Sequence, residues 1–361
     1  MAQSDSKSQK KSENDSISKL VERTIKRNIN GLSYFVSPDP PVGQTPKDVL
    51  HKRGTLSLFH YRPQTEDVYR TPLLIVSPTS NRSYCLDIMP GVSFVDYFSK
   101  KGYDVFLMDW APPRPEEKSR NLEDYTYNFI RECIEIVQRT TGEEEVTLVG
   151  YCMGGVLATT YCASTHSQSI RNLVCFTTPI DFSKMGMFNK LSNKGNFDVD
   201  QLVDSVGNIP PSFVQSSFEA NQPSGRTFSQ IDLWKNMWDS NYVDAWRRYN
   251  RWAHDTLPIA GEYFRESIKE LMWGNKLMKG TLKIGGRTAD LSNIKVPVFH
   301  ATALHDNLVS REASAPLVEK VASEDKLALE LKGGHITLVA GASAVGRMWP
   351  ALDDWLSERS T

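Results

Sequence analysis

No apolar run in this chain of 361 residues approaches the length of a membrane span, and its start lacks the apolar stretch of a secretory signal. Both absences lead to the expectation of a cytoplasmic protein with no membrane span. Cysteine is scarce and scattered: Cys85, Cys133, Cys152, Cys162 and Cys175 lie singly, with no C-x-x-C pair and an odd total. That spacing offers neither a disulfide framework nor a zinc site, and it suits a reducing compartment. An excess of one charge is missing too. The formal net charge is −1 at pH 7 and no basic stripe with interleaved aromatics appears, so nucleic acid is not an expected partner. No cofactor and no metal are expected.

What the chain does contain is one stretch around which the rest is organised, Val146-Thr147-Leu148-Val149-Gly150-Tyr151-Cys152-Met153-Gly154-Gly155-Val156. An apolar β-branched run stops at a glycine, one residue is presented between glycines, and a small-residue helical pattern begins at once. This is G-x-C-x-G-G, the nucleophile elbow of α/β-hydrolases with cysteine in the serine position. The glycines are needed because a Cβ beside the strained nucleophile would strike the strand or the helix. The turn also aims the positive end of a helix at the sulfur, which favours thiolate over thiol. Cys152 is therefore the expected nucleophile; the bland alternative, a small buried cysteine in a glycine-rich turn, weakens as the other pieces appear.

Length allows one large core or two modest ones. Residues 1–16 are too polar to offset chain entropy and are expected to be a disordered tail. Apolar residues then recur at Ile17, Leu20, Val21, Ile25 and Ile29 before Gly31, the pattern of an amphipathic helix that packs on its own domain or on a partner. Thr45-Pro46 reads as the start of a short helix ending before Gly54. Strand-length apolar runs follow at Thr55–Tyr61, Leu73–Ser77, Tyr103–Met108, Val146–Val149, Asn172–Phe176, Val296–Ala301 and Leu327–Leu331. Helical patterns such as Val92–Lys101 and Leu122–Gln138 separate most of them. The alternation predicts an α/β-hydrolase fold, a mostly parallel sheet covered by helices on both faces, with function at the carboxyl ends of the strands. The rhythm breaks between about Phe182 and Leu291, a span holding five of the eight tryptophans. Residues 17–181 and 291–361 are thus expected to form the core, and 182–290 a helical cap or lid. The cap would supply an apolar, water-poor pocket over the elbow, although most of its tryptophans are expected simply to fill its own small core.

A cysteine nucleophile needs a base, and the base needs an orienting acid. In an α/β-hydrolase they follow in the order nucleophile, acid, base, on loops after late strands. Leu304-His305-Asp306-Asn307 follows one late strand, and Gly333-Gly334-His335 follows the last. His335 is the expected base and Asp306 its partner. His305 adjoins that acid and is the weaker rival base. Asp255 and Asp290 are rival acids, the latter at the wrong end of a strand. The developing oxyanion needs two backbone donors: Met153, directly after the nucleophile, and one from Pro78-Thr79-Ser80-Asn81. Proline has no N–H, which leaves Thr79, Ser80 or Asn81, with Ser80 preferred.

From about residue 45 onward the chain resembles the catalytic subunit of polyhydroxyalkanoate synthases, in particular the short two-component class (class III-like). The resemblance rests on Gly150-Tyr151-Cys152-Met153-Gly154-Gly155, Asn81-Arg82-Ser83-Tyr84, Asp109-Trp110, Thr178-Pro179-Ile180-Asp181-Phe182, Asn275-Lys276-Leu277, Asp306-Asn307-Leu308-Val309 and Gly333-Gly334-His335. It implies an acyltransferase that joins (R)-3-hydroxyacyl-CoA units, 3-hydroxybutyryl-CoA first among them, into polyester with release of coenzyme A. It also implies an acyl-carrying Cys152, a homodimer of the catalytic chain, a second synthase subunit and association with polyester granules. One departure is that Val76-Ser77-Pro78-Thr79-Ser80 is more polar than the family's loop before Asn-Arg. The competing reading on the same residues is a cysteine-dependent hydrolase, a thioesterase or polyester depolymerase, with water as the acceptor.

Overall fold

The structure is a computed structural model that describes the backbone of residues 2–221 and 225–361, and side chains from Ser18 onward apart from those of residues 222–224, 226 and 228. Met1 and the side chains of the expected tail, residues 1–16, lie outside the described residues. The chain forms two compact units, residues 42–221 with 252–361 and residues 1–41 with 222–251.

The larger unit is built on an eight-stranded sheet: β1 (Lys47–Arg53), β2 (Leu56–Tyr61), β3 (Leu73–Val76), β4 (Val105–Trp110), β5 (Val146–Tyr151), β6 (Ile170–Phe176), β7 (Val298–Ala303) and β8 (Lys326–Leu331). Their spatial order is β1-β2-β4-β3-β5-β6-β7-β8. The two β1 and β2 pairings, with each other and with β4, are antiparallel, and the rest of the sheet is parallel. The centre reads as apolar runs because both faces are covered: every residue of β3 and β5 is buried. Helix α2 (Phe94–Lys100) buries Phe94, Val95 and Phe98, and helix α3 (Phe129–Thr141) turns Ile130, Cys133, Ile134 and Val137 inward. It stops at Gly142, whose φ of +78° is the left-handed conformation that glycine adopts without penalty. Helix α4 (Met153–Thr165), apolar nearly all round, is buried along most of its length.

β1 corrects one expectation. The Thr45 hydroxyl donates to Asp87 (2.6 Å) instead of capping a helix, and Lys47–Arg53 pairs with β2 as an edge strand. Its Lys47, Asp48, Lys52 and Arg53 place charge along the open edge, which discourages further pairing.

Between β6 and β7 this unit carries the helices Met187–Leu191, Val199–Val206, Pro211–Asn221 and Gly261–Glu266. Their core gathers Val199, Val203, Ile209, Val214 and Ile268. A two-stranded ribbon, Leu282–Ile284 with Arg287–Ala289, also lies here, where the sequence showed no strand period. The loops that follow β3, β5, β7 and β8 leave the sheet at its carboxyl edge and carry Ser80, Cys152, Asp306 and His335.

In the smaller unit α1 (Ala2–Val36) runs through Gly31 rather than ending there. It packs on Gly225–Asn236 and Ser240–His254 with its polar side. Asn30 donates to the Met237 carbonyl, Arg23 lies 4.5 Å over the Trp238 ring, and Tyr34 joins the cluster of Leu233, Met237 and Val243. The stripe that includes Leu20, Val21, Ile25 and Ile29 is left exposed. No helix among the described residues is long and apolar enough to cross a membrane.

Candidate active site

β5 ends at Tyr151 and α4 begins at Met153, so Cys152 alone makes the turn, with φ +53° and ψ −122°. A side-chain-bearing residue rarely adopts that conformation, and here its surroundings fix it. The Cys152 N–H donates to the Phe176 carbonyl (3.0 Å) and its carbonyl accepts from Val156 (3.2 Å). The neighbouring glycines are required by contact: a Cβ on Gly150 would collide with the Gly155 backbone, and one on Gly154 with the carbonyl of Val76 at the end of β3. Cys152 is half-buried, whereas the other four cysteines are buried. Burial pushes the Cys85 thiol up to about 12 and that of Cys175 to about 11, which leaves both inert as nucleophiles near neutral pH.

Asp306 and His335, from loops after adjacent strands, meet at 2.7 Å between Oδ2 and Nδ1. The other Asp306 oxygen accepts the N–H groups of Leu308 (2.8 Å) and Val309 (2.9 Å), so the carboxylate cannot turn. Burial opposes charge on the His335 ring, yet the Cys152 sulfur and the Asp306 carboxylate, each hydrogen-bonded to it, raise its pKa from 6.5 to about 10. The three groups form a chain that can take a proton from sulfur and hold it beside a carboxylate. The rivals lie elsewhere. His305 is exposed, Asp290 caps the turn at Ser292, and Asp255 accepts from Tyr84 (3.1 Å).

Met153 is the first residue of α4, where peptide N–H groups have no partner inside the helix. Ser80 stands in the loop after β3, and its carbonyl accepts from Leu257 (2.8 Å). The motifs Asp109-Trp110 and Asn81-Arg82-Ser83-Tyr84 brace this loop. Trp110 donates to the Ser77 carbonyl (2.9 Å), Ser83 to the Asp109 carboxylate (2.5 Å), and Arg82 to the Trp110 carbonyl (3.2 Å). Asn275 in turn holds Asp181 (2.7 Å) and the Phe182 N–H (3.0 Å), tying two more motif pieces together.

Above the sulfur lies a cavity of about 230 Å³ that both Met153 and Ser80 line. Its walls are largely hydrocarbon, with Phe182, Phe188, Phe213 and Phe264 prominent. None of the described tryptophans lines it. Trp273 donates to the Ser192 carbonyl, Trp252 to that of Arg82 (2.8 Å), and Trp234 is exposed.

The α/β-hydrolase fold model matches residues 85–342. The model of the poly-beta-hydroxybutyrate polymerase (PhaC) N-terminus matches residues 35–98. The chain is 34% identical over 88% of its length to 90% of the poly(3-hydroxyalkanoate) polymerase subunit PhaC of Allochromatium vinosum. To the protein of the same name from Thiocystis violacea it is 33% identical, over 91% of this chain and 93% of that one. This chain belongs to the poly(3-hydroxyalkanoate) polymerase family. The Haloferax mediterranei PhaC, 32% identical over 88% of this chain, is longer, and the alignment covers 65% of it. PhaC proteins carry a polymerase name, and the expected enzyme class, an acyltransferase, stands with it.

Two lipases share the fold of this PhaC-family chain. A putative lipase of Sulfolobus solfataricus superposes with a TM-score of 0.55 at 15% identity, covering 88% of this chain and 98% of its own. A soluble variant of the Saccharomyces cerevisiae monoglyceride lipase gives 0.54 at 15%, over 90% and 100%. At such identities they speak for architecture alone.

Sequence reasoning missed one cavity residue with chemistry of its own, Tyr263. Its phenol oxygen lies 3.2 Å from the Thr79 hydroxyl. No motif surrounds it, and its partner is 184 positions away.

Proposed function

We propose that this chain is the catalytic subunit of a short two-component polyhydroxyalkanoate synthase, joining (R)-3-hydroxyacyl-CoA, and first of all 3-hydroxybutyryl-CoA, into polyester with release of coenzyme A. What carries the reading is the Asp306–His335 pair, 2.7 Å apart and hydrogen-bonded on to Cys152, beneath an apolar cavity in a member of the PhaC family.

In the first half-reaction His335 takes the thiol proton, and the Cys152 sulfur attacks the thioester carbonyl. The N–H groups of Met153 and Ser80 receive the oxyanion. The carbon–sulfur bond to coenzyme A breaks, and the departing thiolate takes the proton from His335. In the second, His335 removes the proton from the 3-hydroxyl of another unit, whose oxygen attacks the acyl-Cys152 carbonyl. The ester forms, the Cys152–acyl bond breaks, and the proton returns to sulfur. Asp306 holds the imidazole in orientation through both halves.

The part of the expected 182–290 cap that belongs to the larger unit, residues 182–221 and 252–290, keeps water from the acyl-cysteine, which would otherwise hydrolyse. The chain works as a homodimer with a second subunit, in the cytoplasm and at the surface of polyester granules. The test is coenzyme A release from (R)-3-hydroxybutyryl-CoA with and without the co-expressed second subunit, followed by sizing of the product. Partner-dependent release with long polymer is expected. Free 3-hydroxy acid as the sole product would move the chain to the thioesterases and depolymerases, and full activity in Cys152→Ala would end the proposal.

A further inference from the structure

We propose that the Tyr263 phenol, backed by the Thr79 hydroxyl, is a subsite for the 3-oxygen of the acyl group, so that this site selects 3-hydroxyacyl thioesters over unsubstituted acyl thioesters. The inference rests on the polymerase reading and adds to it a residue that recognises the substrate.

A hydroxyl carried into a hydrocarbon-walled cavity loses its water and needs a partner there. Toward the phenylalanine walls the hydroxyls of Ser192 and Ser217 already give their protons to the Phe188 and Phe213 carbonyls. Near the sulfur there is Tyr263, which lines the same cavity as Cys152 and is 2% exposed. Its position is fixed from behind. The ring stacks on Tyr125 with centroids 4.3 Å apart, and its carbonyl accepts from the Ser267 hydroxyl (2.7 Å). Burial, the largest cause, together with the charge of Cys152, raises its pKa to about 12, so the phenol keeps its proton throughout the working range.

Proton counting leaves one hydroxyl proton of this pair for the cavity, whichever of the two donates. Thr79 and Tyr263 each bring one hydroxyl proton, and the 3.2 Å contact between them uses one. With Thr79 donating to the phenol oxygen, the phenol proton is free to point into the cavity. The 3-oxygen of an acyl group on Cys152 lies two carbons from the carbonyl carbon, whose own oxygen is directed at Met153 and Ser80. Thr79 immediately precedes Ser80, so the donor for the carbonyl oxygen and the support for the 3-oxygen come from one loop. A site built to bond a hydroxyl penalises the analogue that lacks it, because the phenol then faces hydrocarbon unpaired.

The test compares 3-hydroxybutyryl-CoA with butyryl-CoA as acyl donors to the full chain with its second subunit, reading the first turnover of coenzyme A release. Wild type is expected to prefer the hydroxylated donor by about tenfold or more. Tyr263→Phe should slow release from 3-hydroxybutyryl-CoA about tenfold and change butyryl-CoA less than about twofold. Thr79→Val, which keeps the peptide N–H, should shift the same ratio by about threefold. Equal slowing of both donors, or slowing of neither, in the two variants would overturn the subsite and leave the polymerase reading standing. Should Tyr263→Phe fail to fold, an unchanged ratio in Thr79→Val overturns it alone. A wild-type chain that releases coenzyme A from neither donor refutes the polymerase reading, and the subsite with it.

Discussion

The sheet side of the cavity and its helical side hold their side chains by different means. On the sheet side, position comes from backbone. Cys152 is fixed by the contact of Gly154 with the Val76 carbonyl, and Asp306 by two peptide N–H groups. On the helical side, Phe213 and Phe264 pack edge to face on each other and Phe188 on Phe218, with no hydrogen bond to fix a rotamer. The first arrangement suits a reaction in which a proton must travel a fixed path. The second suits a surface that repacks around acyl chains of different length.

Substitutions on the sheet side should therefore strike the chemistry, and those on the helical side the choice of substrate. The largest effect is expected from Cys152→Ala, which should lower coenzyme A release from 3-hydroxybutyryl-CoA by about 10⁴-fold or more with an unchanged circular dichroism spectrum. Asp306→Asn, which keeps the shape but not the imidazole tautomer, should cost about 10³- to 10⁴-fold in turnover. A residual rate within tenfold of wild type would show that the acid is not tied to the base. Gly154→Ala tests the backbone contact itself. It should destabilise the fold by roughly 2–3 kcal/mol in urea titrations, because the obstacle is the Val76 backbone and not a movable side chain.

Acid separates two buried histidines on the sheet side. His300, on β7, has no hydrogen-bond partner for Nε2, and burial lowers its pKa from 6.5 to about 4. His335, also buried, has its pKa raised because it faces Cys152 and Asp306. Between pH 6.5 and 4 the unfolded chain accepts a proton that the folded His300 refuses, so stability falls as pH falls. The loss should reach about 2 kcal/mol by pH 5 in urea midpoints and should vanish in His300→Asn. The smallest effect belongs to the helical side. Phe213→Ala should favour longer 3-hydroxyacyl-CoA over 3-hydroxybutyryl-CoA by about tenfold, leaving alkylation of Cys152 by iodoacetamide within about twofold of wild type. A large change in the alkylation rate would erase the distinction between the two sides.

The same division explains what could be read in the chain. Strands β2 to β8 announce themselves as apolar runs, and Gly150, Gly154 and Gly333 mark the turns where the sheet hands residues to the cavity. Asp306 and His335 could be paired from strand order alone, and they do meet. β1 was misread because the partner of Thr45 is Asp87, 42 positions away. The cavity walls could not be named from the sequence because which aromatics face inward depends on how short helices pack. Most of the tryptophans were expected to fill the cap's own core, and phenylalanines line the cavity. Tyr263 lay outside any pattern for the same reason. It matters only through Thr79, a contact that local sequence does not encode.

The φ of +53° at Cys152 limits which atoms the fold can present there. A second heavy atom on Cβ is strongly disfavoured in that conformation, so threonine and valine are shut out. Serine fits with the same backbone and the same length of reach to within the difference between oxygen and sulfur. The turn is thus a socket with two usable inserts, a hard nucleophile and a soft one. Exchanging one for the other requires no rebuilding of the loops that carry Asp306 and His335, and an acyl group held as a thioester differs from one held as an ester by a single atom of this chain.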